Sequence, residues 1–272
     1  MNHQDILTAI RKSKKYKNIA EGVVDSEIQD FMKKYPGWQK LKDKLILKEI
    51  KARLHKKHAT FNLTKDSKKV DYIEQLRKDP KNQEIIKKIL ESNRSTKERL
   101  DFYPSLYKNI FAITGKPRAI IDFGCGLNPI SSAFIEKPFV YYCYDINEVD
   151  SKLINSFFKI KGIEGRAFVI NLQDLKNYQN IPEADLGFMF KFIDTIEGEE
   201  NNHKLAEEIV KKVLEKIKFL VVSFATKTLG GKSMFYSNRG WFERMLKRLG
   251  FNFKKIEFNN EVFYVVKGKI QK

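Results

Sequence analysis

The sequence predicts an α/β protein: a doubly wound parallel sheet finished by an antiparallel hairpin and preceded by a small helical domain. Three observations carry that expectation. Five short apolar runs recur between residues 119 and 224, with helical stretches separating most of them. Two further runs, 251–258 and 262–266, flank Asn259-Asn260, as the strands of a hairpin flank a turn. Before residue 92 the apolar residues instead recur at spacings of three and four, and glycine is scarce.

In chain order, Ile6, Ile10 and the basic run 11–17 suggest a first helix. Val24, Ile28, Phe31 and Met32 suggest a second, closed by Tyr-Pro-Gly at 35–37. Trp38, Leu41, Leu45, Leu47, Ile50 and Leu54 suggest one longer helix. Tyr72, Ile73 and Leu76, then Ile85, Ile86, Ile89 and Leu90, suggest two more. The five strands of the second part begin near Ala119, Phe139, Ala167, Leu186 and Phe219. The expected division is a basic helical domain over 1–92 and a sheet domain over 93–272.

Charge narrows the function. The 272 residues hold 52 Lys and Arg against 34 Asp and Glu, a net of +18. The excess is densest over residues 1–92, with 23 basic and 13 acidic side chains. A polyanionic partner follows, either nucleic acid or an anionic membrane face. The longest apolar runs are too short to span a bilayer, and the N-terminus lacks the basic-then-apolar layout of a signal peptide. Cys125 and Cys143 have no paired spacing, so neither a disulfide framework nor a zinc ribbon is expected, and a cytoplasmic setting is. His55 and His58 sit at helical spacing in a basic stretch, where a solvated face outweighs metal binding, and no metal site is expected.

Residues 120–129, Ile-Ile-Asp-Phe-Gly-Cys-Gly-Leu-Asn-Pro, run a buried strand into a glycine turn. Gly124 and Gly126 permit close backbone approach to a ligand, and the turn offers N–H groups. The third glycine of a dinucleotide fingerprint is missing, which favours a nucleoside with a small polar tail. Asp145 ends the next strand about 20 residues on, where a carboxylate can accept both ribose hydroxyls. Asn171 and the Leu172 backbone end the third strand and are placed to read an adenine edge, although Asn171 equally suits a turn. Ser95 or Thr96 can start a helix that carries Arg99, a guanidinium able to grip a ligand carboxylate. Lys191 ends the fourth strand, at the rim where parallel sheets bind ligands. After the fifth strand, Lys227 and Lys232 flank Gly230 and Gly231 in a loop suited to a phosphodiester backbone. The bland alternatives are a plain strand-to-helix turn, a solvated charge cluster and an ordinary basic loop. Phe224 and Trp241 are candidates for base stacking, with core the favoured reading for each.

Together these pieces resemble the aminoglycoside-resistance small-subunit rRNA methyltransferases of the Arm/Rmt type, which modify guanine N7. The carrying residues are Ser95-Thr-Lys-Glu-Arg99, residues 121–129, Tyr144-Asp-Ile, Phe190-Lys191 and the stretch 222–232. The resemblance covers residues 92–272 well and the N-terminal part only by size, basicity and helical character. It implies a Rossmann-like class I methyltransferase sheet and S-adenosyl-L-methionine as methyl donor. By matching position, Arg99 holds the donor's carboxylate, Gly124, Cys125 and Gly126 lie along its methionine part, and Asp145 takes the ribose beside Ile146. Asn171 and Leu172 flank the adenine, with Phe190 in the same site. Lys191, Lys227, Gly230, Gly231 and Lys232 face the RNA. The implied partner is 16S rRNA in the assembled small ribosomal subunit, modified in the decoding A-site by a monomeric enzyme. The family commonly has His where Asn93 stands and Pro where Ala225 stands. Guanine N7 carries an available lone pair, so in-line positioning suffices and no acid-base dyad is needed. The alternatives are a methyltransferase acting on another RNA base and a non-catalytic ribosome-assembly factor with a relic fold.

Overall fold

Helices fill the first part of the chain, with boundaries set by local chemistry. The computed structural model describes residues 1–55, 61–136, 139–196, 203–227 and 239–269. Helix α1 (His3–Arg11) opens with a reciprocal Asn2–Asp5 capping box. It stops at Arg11, short of the expected run to residue 17, because the next apolar side chain after Ile10 is Tyr16, off the helical register. Tyr16 instead turns inward, and its hydroxyl donates to the Lys51 carbonyl at 3.0 Å. Helix α2 (Glu21–Lys34) ends one residue before Tyr35, which precedes Pro36 and is pushed out of the helical region. The expected single helix over 38–54 is split: a 3-10 turn (Trp38–Lys40) ends at an extended Leu41, and α3 (Asp43–Leu54) restarts with an acid in its first turn. Helices α4 (Asp66–Lys78), α5 (Gln83–Leu90), α6 (Arg94–Arg99) and α7 (Tyr103–Thr114) complete the helical run.

The sheet follows. Strands β1 (Ala119–Phe123), β2 (Val140–Asp145), β3 (Glu164–Val169), β4 (Ala184–Phe190) and β5 (Ile217–Ala225) are parallel. Strands β6 (Phe253–Phe258) and β7 (Glu261–Lys267) form the antiparallel hairpin, with β7 against β5. The order β3-β2-β1-β4-β5-β7-β6 reverses between β1 and β4. That reversal opens a crevice at the carboxyl ends of the strands, where ligands of such sheets bind. Helices α8 (Glu148–Lys161), α9 (Ile193–Ile196), α10 (Lys204–Leu214) and α11 (Gly240–Arg248) complete the layers.

Hydrophobic cores, more than composition, divide the chain. Residues 6–54 bury a cluster of their own that includes Ile10, Val24, Phe31 and Ile50, with Ile146 packed against it. Helices α4 and α5 contribute Ile73, Leu76, Ile86 and Ile89 to the core on one face of the sheet, with α7 and α8. The other face packs against α10 and α11. Alternation along β1 sends Ile120 to the first face and Ile121 to the second, as a period of two requires. The change in charge density at residue 92 is thus not a change of core. A buried ion pair, Lys69 to Asp150 at 2.7 Å, ties α4 to the start of α8.

Candidate active site

A cleft of about 770 Å³ opens at the carboxyl edge of the sheet. Its floor is the glycine turn after β1. Gly124 has φ of +62° and Gly126 +50°, the left-handed region that L side chains avoid. A Cβ on Gly124 would lie 2.2 Å from Cδ2 of Phe192, so this ring and a bare backbone shape the floor together. The N–H groups of the turn are not left open for a ligand as the sequence suggested. Gly124 and Cys125 donate to the Tyr144 carbonyl at 2.8 and 3.3 Å, and Gly126 donates to Asp145 Oδ2 at 2.7 Å. The end of β2 takes them, which pins the turn.

Asp145 also accepts from the Ile146 and Asn147 amides on Oδ1, at 2.7 and 3.0 Å. Three of about four acceptor positions are therefore used, leaving roughly one for a ribose hydroxyl. Burial pushes its pKa up, with the backbone donors pulling the other way. At the end of β3, Asn171 is engaged at both ends: its Oδ1 accepts from Gln173 N–H at 3.0 Å and its Nδ2 donates to the Gly22 carbonyl at 3.3 Å. The Leu172 carbonyl accepts from the Tyr178 hydroxyl at 2.9 Å, which holds this end of the turn against the 3-10 segment that follows. Beside them Gln173 lines the cleft with a buried Oε1 that has no hydrogen-bond partner among the described residues.

The far wall is charged. Arg99, on α6, lies buried with its Nε 2.9 Å and Nη2 2.8 Å from the Glu261 carboxylate, and its guanidinium carbon sits 4.8 Å over the Phe190 ring. Asn93, not Ser95 or Thr96, caps α6, accepting from Ser95 N–H at 3.0 Å; the Thr96 hydroxyl goes to backbone carbonyls instead. Lys191 adopts φ of +54°, held by donation of its N–H to the Ser223 carbonyl and hydroxyl at 3.1 and 3.0 Å. Its ammonium pairs with the exposed Glu98 at 2.6 Å and lies 3.5 Å from the buried Glu261, so it bridges rim and interior. Burial raises the Glu261 carboxyl, but Arg99 and Lys191 outweigh it and leave the group below the usual carboxylate range.

The helical part roofs the opening. Ala20 N–H donates to the Ile146 carbonyl at 2.8 Å, and Glu148 N–H to the Asn18 carbonyl at 2.9 Å. Lys14, Lys15 and Lys17 line the mouth. Residues 61–63 add an edge by pairing with 92–94 and bring Phe61 and Leu63 into the lining.

Beneath the turn, Asp122 is buried and accepts from Asn128 Nδ2 at 2.7 Å and the Tyr141 hydroxyl at 3.0 Å. Burial pushes its pKa up to about 7, against the pull of those two donors. From about pH 4 to pH 7 the folded chain holds a proton that the unfolded chain has lost. This contribution to stability is fully present below about pH 4 and lost as pH rises through 7. Asp122→Asn is expected to flatten that slope in urea unfolding at pH 5, 6 and 7; an unchanged slope would show that Asp122 stays ionised.

The cleft gathers Arg99, Gly124, Cys125, Gly126, Asp145, Ile146, Asn171, Leu172, Phe190 and Lys191. Lys227 is exposed after β5, and Gly230, Gly231, Lys232 and His58 lie outside the described residues. Phe224 is core, edge-on to Trp241 and Phe242, and Trp241 stacks on His203 at 3.7 Å. Sequence reasoning missed Phe192, Gln173 and Glu261. Gln173 stood two residues beyond Asn171 and was within reach; the other two are brought in by the fold.

The profile of a family described as ribosomal RNA methyltransferase (FmrO) matches residues 42–265. The chain is 29% identical over 272 residues to a 16S rRNA (guanine(1405)-N(7))-methyltransferase of Serratia marcescens, spanning 98% of this chain and 99% of the relative. It is 25% identical over 285 residues to the enzyme of that name from Proteus mirabilis, spanning 97% and 96%. Among solved structures, 16S rRNA methyltransferase RmtF in complex with S-adenosyl-L-homocysteine aligns with a TM-score of 0.82 and 22% identity, over 99% of this chain and 100% of that one. The 16S rRNA methylase RmtB aligns at 0.76 and 23%, over 99% of each. At these identities the structural likeness establishes the fold, a Rossmann-like methyltransferase sheet, as the sequence predicted.

Proposed function

Because the chain belongs to the ribosomal RNA methyltransferase (FmrO) family, we propose that it methylates N7 of a guanine in the decoding A-site of 16S rRNA, using S-adenosyl-L-methionine. The N7 of guanine 1405, for which those relatives are named, supports that choice of base and atom. The observation that carries the reading is the cleft at the switch of strand order, floored by Gly124 and Gly126 and edged by Asp145. The residues fit the donor. The cradle is one a side chain would fill, and the orphaned Gln173 oxygen suits an adenine amino group.

In this reading Gly124, Cys125 and Gly126 underlie the methionine part, and Asp145 with Ile146 meets the ribose. Leu172 and Gln173 read the adenine, with Asn171 holding their turn. Arg99 and Phe190 form the wall toward the carboxylate. When bound, the donor supplies an electrophilic sulfonium methyl. The chain's own work is orientation: it excludes water, holds the nucleoside at the β2 and β3 ends, and leaves the β4 end facing the incoming base. Lys191, Lys227, Gly230, Gly231 and Lys232 are proposed to meet the RNA. Lys14, Lys15 and Lys17 then supply phosphate contacts on the assembled subunit. A monomer working in the cytoplasm and conferring aminoglycoside resistance completes the proposal.

Small subunits treated with the enzyme, then reduced and cleaved with aniline, are expected to give a primer-extension stop at one guanine; cleavage at no guanine would reject N7 chemistry. Asp145→Ala is expected to weaken S-adenosyl-L-homocysteine binding about ten- to hundredfold in calorimetric titration. Unchanged affinity would take the ribose away from β2.

A further inference from the structure

Glu261 stands at the start of β7, on the hairpin, and not at the end of any parallel strand. Its carboxylate nevertheless reaches the carboxyl edge of the sheet and is wholly buried there. Four groups converge on it: Arg99 Nε and Nη2, the Ser223 hydroxyl, and the Lys191 ammonium. Ser223 and Lys191 come from neighbouring strand ends, and Arg99 from α6. The guanidinium is therefore fixed along its edge by Glu261 and across its face by Phe190. Nη1 makes no hydrogen bond to Glu261, so its donors remain for another partner. Stability alone is a poor reason for such an arrangement, since apolar replacements of a buried ion pair are often as stable. Its place in the cleft wall gives a better one.

We propose that Glu261 is a positioning residue of the donor site: it holds the Arg99 guanidinium in the one orientation that receives the donor's carboxylate, and it balances the Lys191 ammonium beside it. This rests on the donor reading above. It makes a prediction that a purely structural role does not, because only ligands with an amino-acid end should feel the change.

The test compares S-adenosyl-L-homocysteine with 5′-methylthioadenosine, which keeps the nucleoside and lacks the amino-acid end, by calorimetric titration of the full chain. Wild type is expected to bind the first more tightly. Glu261→Gln is expected to lose about ten- to hundredfold for S-adenosyl-L-homocysteine and to stay within about twofold for 5′-methylthioadenosine. Glu261→Asp keeps the charge, and so keeps both cations paired, while drawing the carboxylate back by one methylene. It is expected to show the same selective loss at severalfold, and it stands in if the glutamine variant does not fold. Equal loss for both ligands, or no loss for either, overturns the proposal. Wild type binding both ligands with equal strength also overturns it while leaving the donor reading intact. Wild type binding neither overturns both.

Discussion

Gly124→Ala is expected to abolish donor binding and to destabilise the chain by about 2–5 kcal/mol. Two costs add. An L residue in the left-handed region costs roughly 1–2 kcal/mol, and Gly124 sits at φ of +62°. The new methyl would lie 2.2 Å from Phe192 Cδ2 and 2.9 Å from Cε2, so the ring must move, and overpacking of that kind costs about 1–3 kcal/mol. Gly126→Ala separates the two. It has φ of +50°, but its nearest neighbour would be Asn93 Nδ2 at 3.4 Å, an ordinary contact. It should therefore carry only the conformational cost, about 1–2 kcal/mol. Urea unfolding and titration with S-adenosyl-L-homocysteine read both variants. Equal destabilisation would mean that Phe192 yields freely and does not shape the floor.

Lys69→Met is expected to cost about 3–5 kcal/mol, the penalty of leaving one member of a buried pair unpaired. Asp150 is buried on α8, where burial raises its pKa and Lys69 pulls it down. Without the ammonium at 2.7 Å the carboxylate has lost its closest counter-charge. The double variant Lys69→Met with Asp150→Leu should recover most of the loss, because apolar replacement of both partners is often near neutral. Urea midpoints at pH 7 decide the matter. A single variant no worse than the double would show that Asp150 takes up a proton and needs no partner.

Lys69 also shows where sequence reading stops. It lies in a lysine-rich stretch where every cation reads as solvated, and only the docking of α4 on α8 makes this one internal. The parallel strands were legible because burial on both faces makes them apolar throughout. The glycine turn and Asp145 were legible because they follow strands at a fixed interval. Helix boundaries were less so: the break at Leu41 and the early stop of α1 turn on single residues. Glu261 was invisible for a different reason. It is 162 residues from Arg99, and nothing near it in the chain hints at a cleft. Gln173 was visible and passed over, since an amide after a strand reads first as a turn.

The two main-chain bonds that join Ala20 to Ile146 and Asn18 to Glu148 lie just after the same Asp145 that edges the cleft. Pulling the helical roof away therefore strips the carbonyl of the Ile146–Asn147 peptide, whose N–H is bonded to that carboxylate. A mechanical load applied at the lysine-lined lip is thus transmitted, through one peptide unit, to the seat of the sugar.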